Sequence, residues 1–369
     1  MKKVILIAII LVIISIIFLF VNEKGEKEKI KIGVLADLSG DYADFLKGAP
    51  RAIEIAKQDL GDKVEFIVED QKSCDAKETV TIMNKFVSVD KVDAVIGGTC
   101  SNTTLAAAPV AEKAKTIMIS GVSSAPSISQ VGDYVFRTYI SDLLRAEQAG
   151  NLAYQMGFRR MGVLTETGND YSLELARGAK DTFSSLGGEI TADEKISNKE
   201  TDLRTQLAKI KESSPDVLLI SITGTKQIGL IVKQVRELGL NLQIIHPGET
   251  PESQEVLEIA GDSAEGLIYI MPGNPPESPK HLVLSQRYEE KYGEPHTAYF
   301  TEVYDAVMLA IEAIEQSNGS KEDIKDKLYE VSKSYQGVSG NVQFDENGDV
   351  SRPILIKQIR NGEFVPYEN

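Results

Sequence analysis

Two clusters of small hydroxyl side chains stand close together in this sequence, and each follows a short apolar run. Val92–Ile96 reads as a buried strand, Gly97, Gly98 and Thr99 turn the chain, and Ser101 or Asn102 can cap a helix running to about Ala114. A second strand, Ile117–Ser120, delivers Gly121, Ser123 and Ser124 ahead of Pro126, which suits the first turn of another helix. Two chemistries fit. The serines can simply cap helices, or, if the strands are parallel neighbours, the hydroxyls and free helix N–H groups share one carboxyl edge and hold an anion. A third possibility is acyl transfer. Gly121–Ala125, GVSSA, departs by one residue from the G-x-S-x-G elbow that would make Ser123 the nucleophile of a serine hydrolase. Its partners are missing, because the histidines are only His246, His281 and His296, none in a recognisable partner context.

Two cysteines, Cys74 and Cys100, do not have the spacing of a zinc or redox motif, and two thiols alone cannot complete a structural zinc site. Each lies just past a strand, Val64–Val68 and Val92–Ile96, at the same sheet edge. They are either a disulfide bracing the turn before Ser101 or two inert buried thiols. No metal-spaced histidine cluster, P-loop or dinucleotide glycine pattern occurs in the sequence, and no metal or cofactor is expected.

The elements that must position these groups alternate. Strands at Ile30–Leu35, Val64–Val68, Val92–Ile96, Ile117–Ser120 and Val135–Thr138 are separated by helices at Tyr42–Leu60, from Asp75 with its stripe Val80, Met83, Val87, and after Ser101. The pattern restarts with a helix from Asp142, strand Met161–Leu164, helices Tyr171–Leu186 and Thr201–Lys211, strand Val217–Ile220, a helix stopped by Gly239, and strands Gln243–Ile245 and Leu267–Ile270. Two such runs imply two parallel α/β sheets with helices on both faces. After the breaker-rich Pro272–Pro279, three helices follow without new strands, so they cover a sheet already built. The expected division is a first lobe from 30–140 and 272–342, and a second from 141–271 and 343–369, with Ile354–Ile359 closing the second sheet.

Of the 369 residues, 40 are basic and 55 acidic, a formal charge of −15, which opposes nucleic acid and anionic lipid surfaces. Val4–Val21 is an eighteen-residue apolar run interrupted only by Ser15. At about 1.5 Å per residue it is long enough for a bilayer core. Lys2 and Lys3 precede it, so an uncleaved membrane anchor would leave everything after Val21 outside the cytoplasm. A cleaved signal peptide is the alternative, although no small-residue cleavage site follows the run. Asn22–Lys29, NEKGEKEK, reads as a flexible tether and residues 1–29 as a targeting segment.

The paired GGTCSNTT and ISGVSSAPS segments, TETGNDYS before a helix, and IIHPGETPES followed by IAGDSAEGLIYIMP resemble the type I periplasmic binding proteins, in particular the leucine/isoleucine/valine-binding proteins of amino-acid ABC importers. The resemblance covers Ile30 to about Lys357. It implies two Rossmann-like lobes joined by three crossing strands and closing on ligand in the cleft, with permease and ATPase subunits on separate chains. It also implies site residues. Ser101 and Ser124 match hydroxyls that hold the ligand carboxylate, Ser123 a position that presents backbone groups, Tyr171 a cleft tyrosine of the second lobe, Glu249 the acceptor of the ligand ammonium, and Phe45 a pocket aromatic. Thr223, Gly224 and Thr225 stand where the family has an aromatic pair, which leaves room for a larger or partly polar ligand side chain. The function so implied is capture of an amino acid, branched-chain or otherwise neutral, without chemistry. A ligand-sensing extracellular domain and a binder of an amide or carboxylate are the alternatives. Because the partner of Glu249 would be the ligand, Glu249→Ala is expected to weaken binding far more than stability.

Overall fold

The computed structural model describes residues 29–40, 43–168, 170–273 and 278–368. The run Val4–Val21 lies outside the described residues, and among these no helix is long and apolar enough to cross a membrane. The first unit contains β1 (Ile30–Ala36), α1 (Gly48–Leu60), β2 (Val64–Asp70), α2 (Ala76–Lys85), β3 (Ala94–Gly97), α3 (Ser101–Ala114), β4 (Met118–Ser120) and β5 (Val135–Arg137). Its sheet is parallel, in the order β2-β1-β3-β4-β5. The second unit contains α4 (Asp142–Gln155), β6 (Arg160–Glu166), α5 (Asp170–Ser185), β7 (Glu189–Ile196), α6 (Arg204–Glu212), β8 (Val217–Ser221), α7 (Thr225–Glu237), β9 (Gln243–His246), α8 (Gln254–Ala260) and β10 (Ile268–Pro272).

The chain then returns to the first unit. Helices α9 (Pro279–Tyr292), α10 (Phe300–Gln316) and α11 (Lys321–Ser332) bury Leu284, Phe300, Val307 and Leu328 in one core with Ile32, Val34 and Ile53. A small ladder of β11 (Gln336–Gly337) and β12 (Gly340–Asn341) precedes β13 (Ile354–Arg360) and β14 (Glu363–Pro366). These last two pair antiparallel beside β10 and complete the order β14-β13-β10-β9-β8-β6-β7. Both faces of the central strands are covered. In β8, Val217 and Leu219 enter one core while Leu218 and Ile220 enter the other, the two-residue alternation of a strand buried on both sides.

Three connections join the units, and two arginines tie them together. Arg137, 0% exposed, reaches Asp349 through Nε at 2.6 Å and Nη2 at 2.8 Å. Arg352 donates to Thr138 O at 2.8 Å and to Glu302 Oε1 at 3.1 Å. Residues of the first and third connections are thus locked side by side.

Several local expectations change. The first helix starts at Gly48 rather than Tyr42, since Pro50 lacks an N–H and is accommodated only in a first turn. Helix α2 buries Thr79, Ile82 and Met83 rather than the Val80–Met83–Val87 stripe, with Asp75 capping the N–H groups of Lys77 and Glu78. Helix α3 is capped by Cys100, not by Ser101 or Asn102. Pro126–Gln130 forms one 3-10 turn instead of a full helix. Strand β7, EITADEKI, is additional: it is a sheet edge, and its polar composition hid it.

Candidate functional site

In the first sheet the chain leaves β1 toward β2 on one side and β3 toward β4 on the other, so the crevice opens at the carboxyl ends of β1 and β3. A rigid cluster fills its base. The buried Asp37 carboxylate accepts from the Cys74 N–H at 2.8 Å and Gln71 Nε2 at 2.9 Å, with Thr99 Oγ1 also in contact. Cys74 and Cys100 are joined as a disulfide with their Cα atoms 5.7 Å apart. Closing a loop of 26 residues contributes about 3.5 kcal/mol in the chain-entropy picture. The bridge, with Asn102 Nδ2 donating to Cys74 O at 2.9 Å, fixes the start of α3. Gly97 and Gly98, at φ of 126° and 81°, make the turn possible; a Cβ on Gly97 would stand 2.3 Å from Leu35 O.

The three serines are not equivalent. Ser123 is buried and its hydroxyl turns inward, to Gly98 O at 2.6 Å and Thr104 Oγ1 at 2.7 Å. Ser101 Oγ accepts the Ala125 N–H at 3.2 Å and so ties the two loops while keeping its own proton to donate. Ser124 donates to Asp142 Oδ2 at 2.8 Å, and the Asp142 N–H returns to Ser124 O at 2.7 Å. Its single hydroxyl proton is thereby committed, because a carboxylate only accepts.

Asp142 begins α4, the first helix of the second unit, capped by Ser141. Three residues later Arg145, 0% exposed, places Nη2 on Asp142 Oδ1 and Nη1 on Glu249 Oε2. The Tyr139 hydroxyl donates to Glu249 Oε1 at 3.2 Å. A continuous polar chain therefore runs from Ser124 through Asp142 and Arg145 to Glu249, from the edge of one sheet to the edge of the other. Aromatic rings surround it. The guanidinium lies 5.9 Å from the Tyr139 ring centre and 5.5 Å from that of Tyr171. Tyr299 packs on Tyr139 at 5.2 Å, and Phe45, 61% exposed, packs on Tyr299 at 5.9 Å.

Burial sets the charge states here. It pushes the phenols of Tyr139, Tyr171 and Tyr299 above their ordinary value, against the pull of Arg145, so all three stay neutral. Burial alone would lower the Arg145 guanidinium, but the Asp142 carboxylate and the neighbouring phenols hold it above its ordinary value.

Glu249 is aimed by the turn that carries it. His246 is buried, its Nδ1 2.9 Å from Gly248 N and 2.8 Å from Gly248 O and its Nε2 2.9 Å from Ile222 O, so both ring nitrogens are held by backbone groups. Gly248 leaves space for Tyr171, whose hydroxyl would stand 2.3 Å from a Cβ there. Burial pushes the imidazole down to about 4. A lowered folded value means that the charged form is disfavoured on folding, so this contribution is full above the ordinary histidine value and lost as pH falls toward 4. The stability advantage of the parent over His246→Gln is expected to shrink by about 3 kcal/mol between pH 7 and pH 4. Urea unfolding of both proteins at each pH measures this, and a constant difference would refute it.

Both ring nitrogens of His246 being engaged with backbone, and Ser123 with Gly98 and Thr104, the two lack the nucleophile–base contact of a serine hydrolase. Thr223 donates to Glu166 Oε2 through N at 2.7 Å and Oγ1 at 2.6 Å, and Thr225 bonds Glu255. Sequence reasoning passed over Tyr139, Asp142, Arg145 and Tyr299. Arg145 left a trace: it follows Asp142 by three residues and precedes Ala149 by four, on the buried stripe of α4, where a charge needs a partner.

A family model for periplasmic binding proteins matches residues 29–363. The chain belongs to the periplasmic binding protein family. A parallel sheet and a largely parallel one, joined by three connections, are the type I arrangement. A leucine-, isoleucine-, valine-, threonine- and alanine-binding protein of Pseudomonas aeruginosa is 27% identical over 360 residues, 95% of this chain and 92% of the relative. Among solved structures, a leucine-binding protein of Thermotoga maritima is 28% identical with a TM-score of 0.78, covering 92% of this chain and 98% of that one. A branched-chain amino-acid transporter substrate-binding protein of Streptococcus pneumoniae, solved with isoleucine, is 25% identical with a TM-score of 0.75, covering 91% and 98%.

Proposed function

We propose that this periplasmic binding protein captures an amino acid with a neutral side chain between its two lobes, outside the cytoplasm, and hands it to an ABC permease and ATPase on separate chains. The lobes are residues 30–140 with 272–342, and 141–271 with 343–369. One observation carries the reading: a carboxylate of the second lobe, Glu249, is held by Tyr139 and Arg145 at the end of a polar chain that starts at Ser124 of the first. An ammonium needs such an acceptor, and a carboxylate needs the hydroxyl of Ser101 and the first-turn N–H groups of α3. Ser123 supports the second loop from behind, Tyr171 backs the Glu249 turn, and Phe45 with Tyr299 forms the aromatic rim. The named ligands of the relatives, leucine, isoleucine, valine, threonine and alanine, agree in carrying one ammonium and one carboxylate. Lobe closure joins the two half-sites, so binding and closure are one equilibrium. Val4–Val21 serves as the membrane anchor, its length and lack of charge being the support.

A melting-curve screen of the full chain in mild detergent against the amino acids tests this. A ligand at 100 times its Kd is expected to stabilise by about 2.7 kcal/mol. If no amino acid moves the curve while a carboxylate lacking an amine does, the ammonium role of Glu249 is wrong.

A further inference from the structure

Arg145 is a fully buried cation inside a site that, on the reading above, must receive another cation. Its guanidinium bridges Asp142 on its own helix and Glu249 on the β9 turn, and it lies beside the rings of Tyr139 and Tyr171. Two carboxylates and one guanidinium leave one net negative charge on this wall. Without the guanidinium, the two carboxylates that it bridges would be left with their charges uncompensated, and carboxylates that share a site retain a proton. A third positive charge at the same place would meet the guanidinium directly, in surroundings where charges are weakly screened.

We infer that Arg145 is the charge-selecting residue of the ligand site: its one guanidinium compensates one of the two carboxylates it bridges, Asp142 and Glu249, and leaves a wall that accepts one ammonium and excludes a ligand bearing two. This rests on the amino-acid reading proposed above. Arg145 acts through Glu249 and is therefore a positioning residue. The ionisable and charged groups around the Arg145–Glu249 pair are Asp142 from α4, Tyr139 from the first connection, Tyr171 from α5, Tyr299 from the start of α10 and His246 on the turn before Glu249. The three phenols are held neutral by burial, and His246 stays uncharged above about 4, so none of these four titrates between pH 5 and 8.

The test is calorimetric titration of the full chain and of Arg145→Gln and Arg145→Lys with leucine and with lysine, at pH 5 and pH 8. For the parent, the leucine Kd is expected to change less than threefold between the two pH values, and lysine to bind at least a hundredfold more weakly. Arg145→Gln is expected to lose at least tenfold in leucine affinity on going from pH 8 to pH 5, and to narrow the leucine-over-lysine preference at least tenfold at pH 8. Arg145→Lys keeps a positive charge but lacks the planar fork that reaches both carboxylates, so it should keep the preference and gain the pH dependence. If Arg145→Gln does not fold, the pH dependence of Arg145→Lys decides. Variants with the parent's pH profile and leucine-to-lysine ratio would overturn the inference alone. A parent that binds neither leucine nor any other amino acid would overturn the functional reading, and this inference with it.

Discussion

Glu249→Gln is expected to lower the affinity for the bound amino acid at least a hundredfold, about 2.7 kcal/mol, while leaving a folded protein. The amide keeps the size of the carboxylate and its contact with the Tyr139 hydroxyl, but it removes the ion pair that an ammonium would find. The structure also changes what is expected of stability. From sequence, the partner of Glu249 was to be the ligand, so truncation would cost binding and little else. In the fold Glu249 already holds Arg145, which then retains Asp142 alone. Glu249→Ala is therefore expected to lose about 1–3 kcal/mol of unfolding free energy as well, because a buried charge gives up part of its compensation. Titration calorimetry and urea unfolding on the same preparations separate the two effects. Parent-like amino-acid binding by Glu249→Gln would remove this residue from the site.

The largest loss of stability is expected at the junction between the units. Asp349→Ala is expected to cost about 3–5 kcal/mol, since it strands the fully buried Arg137 with only Ala125 O and Ser129 Oγ as acceptors. The double replacement Arg137→Met with Asp349→Leu is expected to cost less than Asp349→Ala alone, because it removes the buried charge together with its partner. Chemical denaturation of the three proteins gives the ordering, and a single replacement milder than the double would contradict it. The prediction bears on function because this pair and Arg352 join segments that connect the lobes. Loosening them changes how the lobes are held relative to each other as well as how firmly each is folded.

The sites of these predictions differ in how far the sequence revealed them. Local pattern was sufficient for the alternating strands and helices, the return of α9–α11 to the first core, and the meeting of the Cys74 and Cys100 strand ends. Each depends on periodicity or on residues near an element's end. Edge strand β7 escaped because its polar alternation offers no apolar signal, and the start of α1 was misplaced because Pro50 limits the helix more than the apolar pattern extends it.

By itself, the sequence determined which residues were available at the sheet edges: two hydroxyl loops on one side, and a carboxylate after a Pro-Gly turn on the other. It determined as well that the histidines had no catalytic context. What only the tertiary structure decided is which of these groups remain free. Ser123 is turned into the interior, and Ser124 is spent on Asp142, whereas Ser101 keeps a proton to give. Arg145 becomes the centre of the polar chain between the two sheets because Glu249, 104 residues away, folds against it. Hydrogen bonds and ion pairs saturate, so a residue's chemistry depends on what its neighbours have already taken, and those neighbours are set by packing over long separations in the chain.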